Sequence, residues 1–70
     1  MTLKKDRIVR SGAGYFIKFT GVDNTPELTS DPVAATRMAR SEADLVASVM
    51  NRKGFGAELV KVRYGNVWQL

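Results

Sequence analysis

The stretch that most constrains the fold is SEADLVASVMNRKGF, residues 41–55, which reads as one amphipathic helix with both ends marked. Ser41 with Asp44 three residues on is a reduced capping box. The serine oxygen can accept from a first-turn backbone N–H, and Glu42 and Asp44 sit where the helix dipole favours acids. Laid out at about 100° per residue, Leu45, Val46, Val49 and Met50 fall in one arc with Ala43 at its edge, while Asp44, Ser48 and Asn51 lie opposite. Arg52 and Lys53 occupy the last turn, where cations suit the carbonyl end. Gly54 is placed for a left-handed cap, and Phe55 follows where an apolar residue folds back onto the last turn. Such a helix needs a surface to cover its apolar arc.

The remaining segments supply a sheet. Residues 6–10 carry Ile8 and Val9 and read as a short strand, and SGAG at 11–14 reads as a turn. YFIKFT at 15–20 is aromatic and β-branched with period-2 order: Tyr15, Ile17 and Phe19 on one face, Phe16, Lys18 and Thr20 on the other. GVDNTP at 21–26 is a loop by composition, and residues 27–29 return briefly to the sheet. Asp31 as N-cap with Pro32 at the first helical position predicts a short helix that sends Val33 and Met38 toward the core. Residues 37–40 then connect to the main helix. In residues 57–64, Glu58, Val60, Val62 and Tyr64 alternate with Ala57, Leu59, Lys61 and Arg63; Gly65-Asn66 signals a turn and residues 67–70 a last strand. The predicted fold is α+β: a small antiparallel sheet in β-β-α-α-β-β order with one main helix packed on one face. Residues 1–70 form a single domain, with residues 1–5 frayed.

Composition narrows function by exclusion. The chain has 70 residues, 44% of them hydrophobic, with neither cysteine nor histidine. That removes disulfides, a cysteine nucleophile, the usual zinc or haem ligands and the commonest proton-transfer group near neutral pH. Asp23 with Glu27, and Glu42 with Asp44, sit in a polar loop and a first helical turn, where acids belong without catalysis. SGAG lacks the lysine and following helix of a phosphate loop. No catalytic residue, metal ligand or cofactor is therefore assigned, and the expectation is a protein that is not an enzyme. No apolar run approaches the roughly 20 residues that span a bilayer, and MTLKKDRIVR is not followed by the apolar core of a signal peptide, which predicts a cytoplasmic protein without a membrane partner.

Eleven Lys/Arg against seven Asp/Glu give a net charge of +4. If Ile17, Phe19, Val60 and Val62 pack on the helix, then Phe16, Lys18, Leu59, Lys61 and Arg63 share the outward sheet face, which Trp68 could join. Two readings of that candidate face stay open. It can be an apolar patch for another protein or for a second copy of the chain, with edge strands as an alternative contact. It can also be a basic aromatic surface that stacks bases and neutralises phosphates. A merely solvated strand face carries the same residue types. Arg37, Arg40, Arg52 and Lys53 can form a basic patch at the helix ends or simply satisfy helix carbonyls.

The run PELTSDPVAATRMARSEADLVASVM, preceded by an aromatic-rich hairpin and followed by ELVKV, resembles a pattern of small uncharacterised phage and prophage proteins. Leu28, Thr29, Ser30, Asp31, Ala35, Met38, Ser41 and Ala43 carry it, and it spans residues 15 to 62. The resemblance implies this α+β fold and a phage or bacterial origin; it implies no activity. The functional expectation is a small non-enzymatic module that binds protein through a sheet face or edge strand, with nucleic-acid binding as the alternative.

Overall fold

A computed structural model describes residues 5–63 and 66–67. The expected fraying of residues 1–5 falls, but for Lys5, outside them. The β-branched and aromatic runs form strands β1 (Arg7–Ser11), β2 (Gly14–Thr20), β3 (Thr25–Thr29), β4 (Glu58–Arg63) and the two-residue β5 (Asn66–Val67). A 3-10 turn covers Pro32–Ala34, and α1 runs from Arg40–Arg52. All pairings are antiparallel in the order β3-β2-β1-β4-β5, so this is a small α+β fold with four longer strands and one described α-helix. Two features depart from the predicted order. Residues 25–29 are a full edge strand rather than a brief return, and the short helix is a single 3-10 turn.

That turn starts as expected, with the Asp31 carboxylate accepting from the Val33 N–H at 3.0 Å. It leaves Val33 66% exposed, whereas Met38 is buried. The main helix begins one residue before Ser41. Ala39 is its N-cap and no side chain caps it, so the Ser41 box does not form. The helix end behaves as its residues suggest: Gly54 has φ +88°, Phe55 N–H donates to Met50 carbonyl at 3.0 Å, and Gly54 N–H to Asn51 carbonyl at 3.0 Å. This double bond pattern is a Schellman cap, and Phe55 packs against the core beside Met50.

Two irregularities set which side chains face the helix. In β2 the register slips between Phe16, opposite Leu28, and Lys18, opposite Glu27, so Ile17 is the extra residue of a bulge. Strict alternation would separate Phe16 from Phe19. The bulge puts both on the helix side, with ring centroids 4.8 Å apart at 60°. The second irregularity is a gap. β1 pairs with β2 only at Arg10–Tyr15 and Ser11–Gly14. Beyond that, residues 36–38 wedge between the two strands: Thr36 N–H donates to Phe16 carbonyl at 3.1 Å, and Arg7 and Met38 exchange bonds of 3.0 and 2.7 Å. The connection thereby crosses the sheet. Ala35 packs with Ile8, Val60, Val62 and Tyr15 on one side, while Met38 packs with Val9, Phe16, Ala43, Ala47 and Met50 under the helix.

The core consequently has two layers. Val60 and Val62 lie on the side away from α1, contrary to the expected packing, because Val60 is opposite Ile8 while Leu59 is opposite the helix-facing Val9. Of the expected arc the helix buries Met50 and the edge residue Ala43, joined by Ala47, while Val46 and Val49 are half-buried and Leu45 is 70% exposed. Small alanines let the helix sit close to the sheet, so the large aliphatics fall on its flank.

Candidate functional site

Of the outward face expected to hold Phe16, Lys18, Leu59, Lys61, Arg63 and Trp68, the four members whose side chains are described do not share one surface. Phe16 is only 4% exposed and lies in the core beneath α1. Leu59 is half-buried on that same side, opposite Val9. Lys18 is exposed on the opposite face, where its cross-strand neighbour is Glu27. Lys61 is exposed and lies opposite Arg7, near the end of β4. Arg63 is in β4 and pairs with Asn66, but its side chain lies outside the described part, as do Tyr64 and Trp68 entirely. For Phe16 the bulge at Ile17 is the physical reason, and for Leu59 it is the register that sets it opposite Val9. The bulge inverts the alternation of half of β2, so an aromatic read as outward turns inward and the lysine two residues on does not follow it.

The face away from the helix is polar where it is open. Tyr15, Lys18, Thr20, Thr25, Glu27 and Thr29 share it by register, and Arg10 is hydrogen-bonded and ion-paired to Glu58 across β1 and β4. That hydrogen bond raises the pKa of the Arg10 guanidinium, which is charged in any case. Opposite charges alternate among the described residues of this surface, which present neither a field of one sign nor an apolar patch.

The basic residues at the helix ends are likewise separated. Arg37 and Arg40 lie at the start of the 13-residue helix and Arg52 and Lys53 at its end, roughly 18 Å apart at 1.5 Å per residue. At the starting end Arg7 is opposite Lys61 and bridges to Met38, two residues before Arg40. Arg7 also pairs with Asp6 at 2.7 Å.

An apolar strip lies elsewhere, on the flank of α1. Two bonds fix which way that flank faces. Asn51 grips residue 57 at the start of the β4 side, accepting from the Ala57 N–H at 2.6 Å and donating to its carbonyl at 3.2 Å. Lys53 Nζ reaches the Asp23 carbonyl at 2.8 Å, in the turn between β2 and β3. At about 100° per residue, Lys53 falls between Val46 and Val49 around the helix, so these two valines lie on its β2–β3 side rather than its β4 side, and Leu45, about 140–160° around from Ala43, Ala47 and Met50, points to solvent beyond them. There Phe19 and Leu28 are half-buried at the edge of the same core cluster as Val46. Val49 is half-buried, and Val22, beside Asp23 in the turn, is 98% exposed.

The strip thus runs from Leu45 through Val49 to Val46 on α1, and Val46 borders the same core cluster as Phe19 and Leu28 of the sheet. Apolar periodicity pointed to the three helix residues, but as the buried face. Phe19 and Leu28 had no such signal, because which strands α1 covers depends on where the helix docks. Among the described residues no group of three or more Asp or Glu could hold a metal ion, and no helix is long and apolar enough to cross a membrane. Compared with family models, curated proteins and solved structures, the chain matches none.

Proposed function

We propose that the chain is a small non-enzymatic module that binds protein through the strip formed by Leu45, Val46, Val49, Phe19 and Leu28. The observation that carries the reading is the 70% exposure of Leu45 on a helix whose buried side is made of alanines and Met50. Isolated exposed apolar residues are ordinary on soluble proteins, but here the exposed leucine continues through Val49 and Val46 along one side of the helix, and Val46 borders the core cluster that the half-buried Phe19 and Leu28 also edge. Contiguity is what separates a contact surface from scatter. An edge-strand contact is the weaker form of the reading, because β3 carries Pro26 and Glu27, residues that blunt an edge against further pairing. The likeness of residues 15 to 62 to small phage and prophage proteins supports a phage or bacterial origin and leaves activity open.

Photo-crosslinking in the expressing cell tests the reading. A benzoylphenylalanine placed at position 49 or 28 should give discrete protein adducts, and one at position 18, on the polar face, should give none. Equal labelling from all three positions, or none from any, would refute it.

The nucleic-acid reading survives in another place. Arg7 and Lys61 are cross-strand neighbours in the sheet, and Arg37 and Arg40 flank the Met38 that bridges to Arg7, in a chain of net charge +4. Counterion release then predicts oligonucleotide binding that falls with salt, with a slope of about −0.7 to −0.9 per neutralised phosphate. Lys61→Glu should weaken it and Lys18→Glu should not.

A further inference from the structure

We infer that the occupant of the exposed helix flank is a second copy of the same chain, with the two α1 helices lying antiparallel across a two-fold axis. The inference rests on the protein-binding reading above and names its partner. Glu42, Leu45, Val49 and Arg52 follow one another at spacings of three, four and three, the a/d spacing of a helix seam. Glu42, Leu45 and Arg52 are exposed and Val49 is half-buried, so the seam runs along the outside of the helix rather than into its own sheet.

Its order is self-complementary in one direction only. When a copy is laid antiparallel, Leu45 meets Val49 of the second chain and Val49 meets Leu45, while Glu42 meets Arg52 at both ends. A parallel copy places Glu42 against Glu42 and Arg52 against Arg52. The flanking positions allow close approach on one side, where Ser41 and Ser48 are exposed serines. Antiparallel helices also oppose their dipoles, acid near each positive end and arginine near each negative end. An isologous contact of this kind closes on itself and leaves no surface for further growth.

One three-turn helix pair is a small interface, below about 1,200 Å² in total, so association is weak, with a dissociation constant on the order of 0.1 mM. Sedimentation velocity of the intact chain from about 10 μM to 1 mM should show a monomer–dimer equilibrium in this range. Leu45→Glu should leave a monomer throughout, with an unchanged far-ultraviolet spectrum and urea midpoint because the side chain is already exposed. Glu42→Arg and Arg52→Glu, each alone, turn both end contacts repulsive and should weaken the dimer about tenfold. The doubly exchanged chain should recover to within about threefold of wild type. The helix dipole opposes both exchanges, so that recovery cannot come from a more stable helix.

A wild-type chain that stays monomeric at 1 mM, or a dimer that the double exchange does not restore, overturns the inference. If a monomeric chain still yields a heterologous adduct from position 49, self-pairing alone has failed and the protein-binding reading stands; if both are absent, both have failed.

Discussion

Phe16 is where the bulge in β2 has its largest measurable consequence. An unbroken alternation puts this ring outside with Lys18, where truncation would change stability by no more than about 0.5 kcal/mol. The structure instead buries it to 4% exposure among Val9, Met38, Ala43, Ala47 and Met50. A phenylalanine buries roughly 150–250 Å², worth about 4–6 kcal/mol at 25 cal/mol per Å² before the part an alanine retains is subtracted. Phe16→Ala should accordingly cost about 3–5 kcal/mol, the range found for aromatic truncation in cores. A domain of 70 residues has a total stability of roughly 3.5–10 kcal/mol, so this variant sits near the edge of unfolding. Phe16→Leu provides the graded measurement, at a cost of about 1–1.5 kcal/mol. Urea denaturation followed by far-ultraviolet circular dichroism reads both. With a slope of about 1 kcal/mol per M, the leucine variant should move its midpoint down by about 1 M. A cycle with Phe19→Leu should show coupling of about 0.5–1.5 kcal/mol from the tilted ring pair, which an outward Phe16 could not make. Phe16 variants within 0.5 kcal/mol of wild type, alongside an uncoupled Phe19, would refute the bulge and the facing of half the sheet with it.

Other positions give independent checks by the same denaturation experiment. Gly54→Ala should cost about 1–2 kcal/mol from the left-handed backbone alone, because nothing lies within 4 Å of an added Cβ. Gly14→Ala should cost more, since at φ +144° its Cβ would also meet the Thr29 carbonyl oxygen at 2.9 Å and press β2 against β3; the reverse order would refute the close strand contact. Asp31→Ala should lose about 1 kcal/mol through the cap on the 3-10 turn, and Asp31→Asn should retain most of it. Asn51→Ala removes both bonds to Ala57, about 1–2 kcal/mol, against roughly 0.5 kcal/mol of helix propensity regained, for a net loss near 1 kcal/mol.

Local signals were legible wherever a few neighbouring residues decide the outcome. The helix C-cap needs only Gly54 and Phe55 in the right order, and the 3-10 start needs only Asp31 before Pro32. The N-terminal boundary was less legible because Met38 is held by Arg7 from a distant strand, and that bridge decides where the chain can turn into α1. Facing was harder still. A period of two assigns faces correctly only until a residue is inserted, and nothing in YFIKFT marks Ile17 as the insertion. Its cause is non-local: the β1–β2 gap must open for residues 36–38 to pass between the strands. Beyond the insertion, alternation placed Phe19 inward and Lys18 and Thr20 outward correctly; before it, Tyr15 and Phe16 are exchanged.

The apolar strip follows from the same crossing. Because the connection passes through the sheet between β1 and β2, the chain emerges on the helix side already above β1, and α1 settles over β1 and β4. β2 and β3 are left beyond its flank, with Phe19 and Leu28 only half covered. A helix with large residues on its buried side would stand farther off. Ala43 and Ala47 instead bring it close, and Leu45 and Val49 are left on the side of the helix away from its buried face. The width of the apolar arc, which looks excessive for a helix lying on one sheet, then divides: Met50 and Ala43 serve this chain's core, while Leu45 and Val49 are left for the contact proposed above. Replacing Ala47 with leucine tests that coupling. The added volume has no space beneath the helix and should cost about 1–3 kcal/mol by overpacking. By lifting the helix it should also expose Phe19 and Leu28 further, so binding of a hydrophobic dye should rise in step with the loss of stability. A stable Ala47→Leu variant with unchanged dye binding would mean that close approach of helix and sheet is not what leaves the strip uncovered.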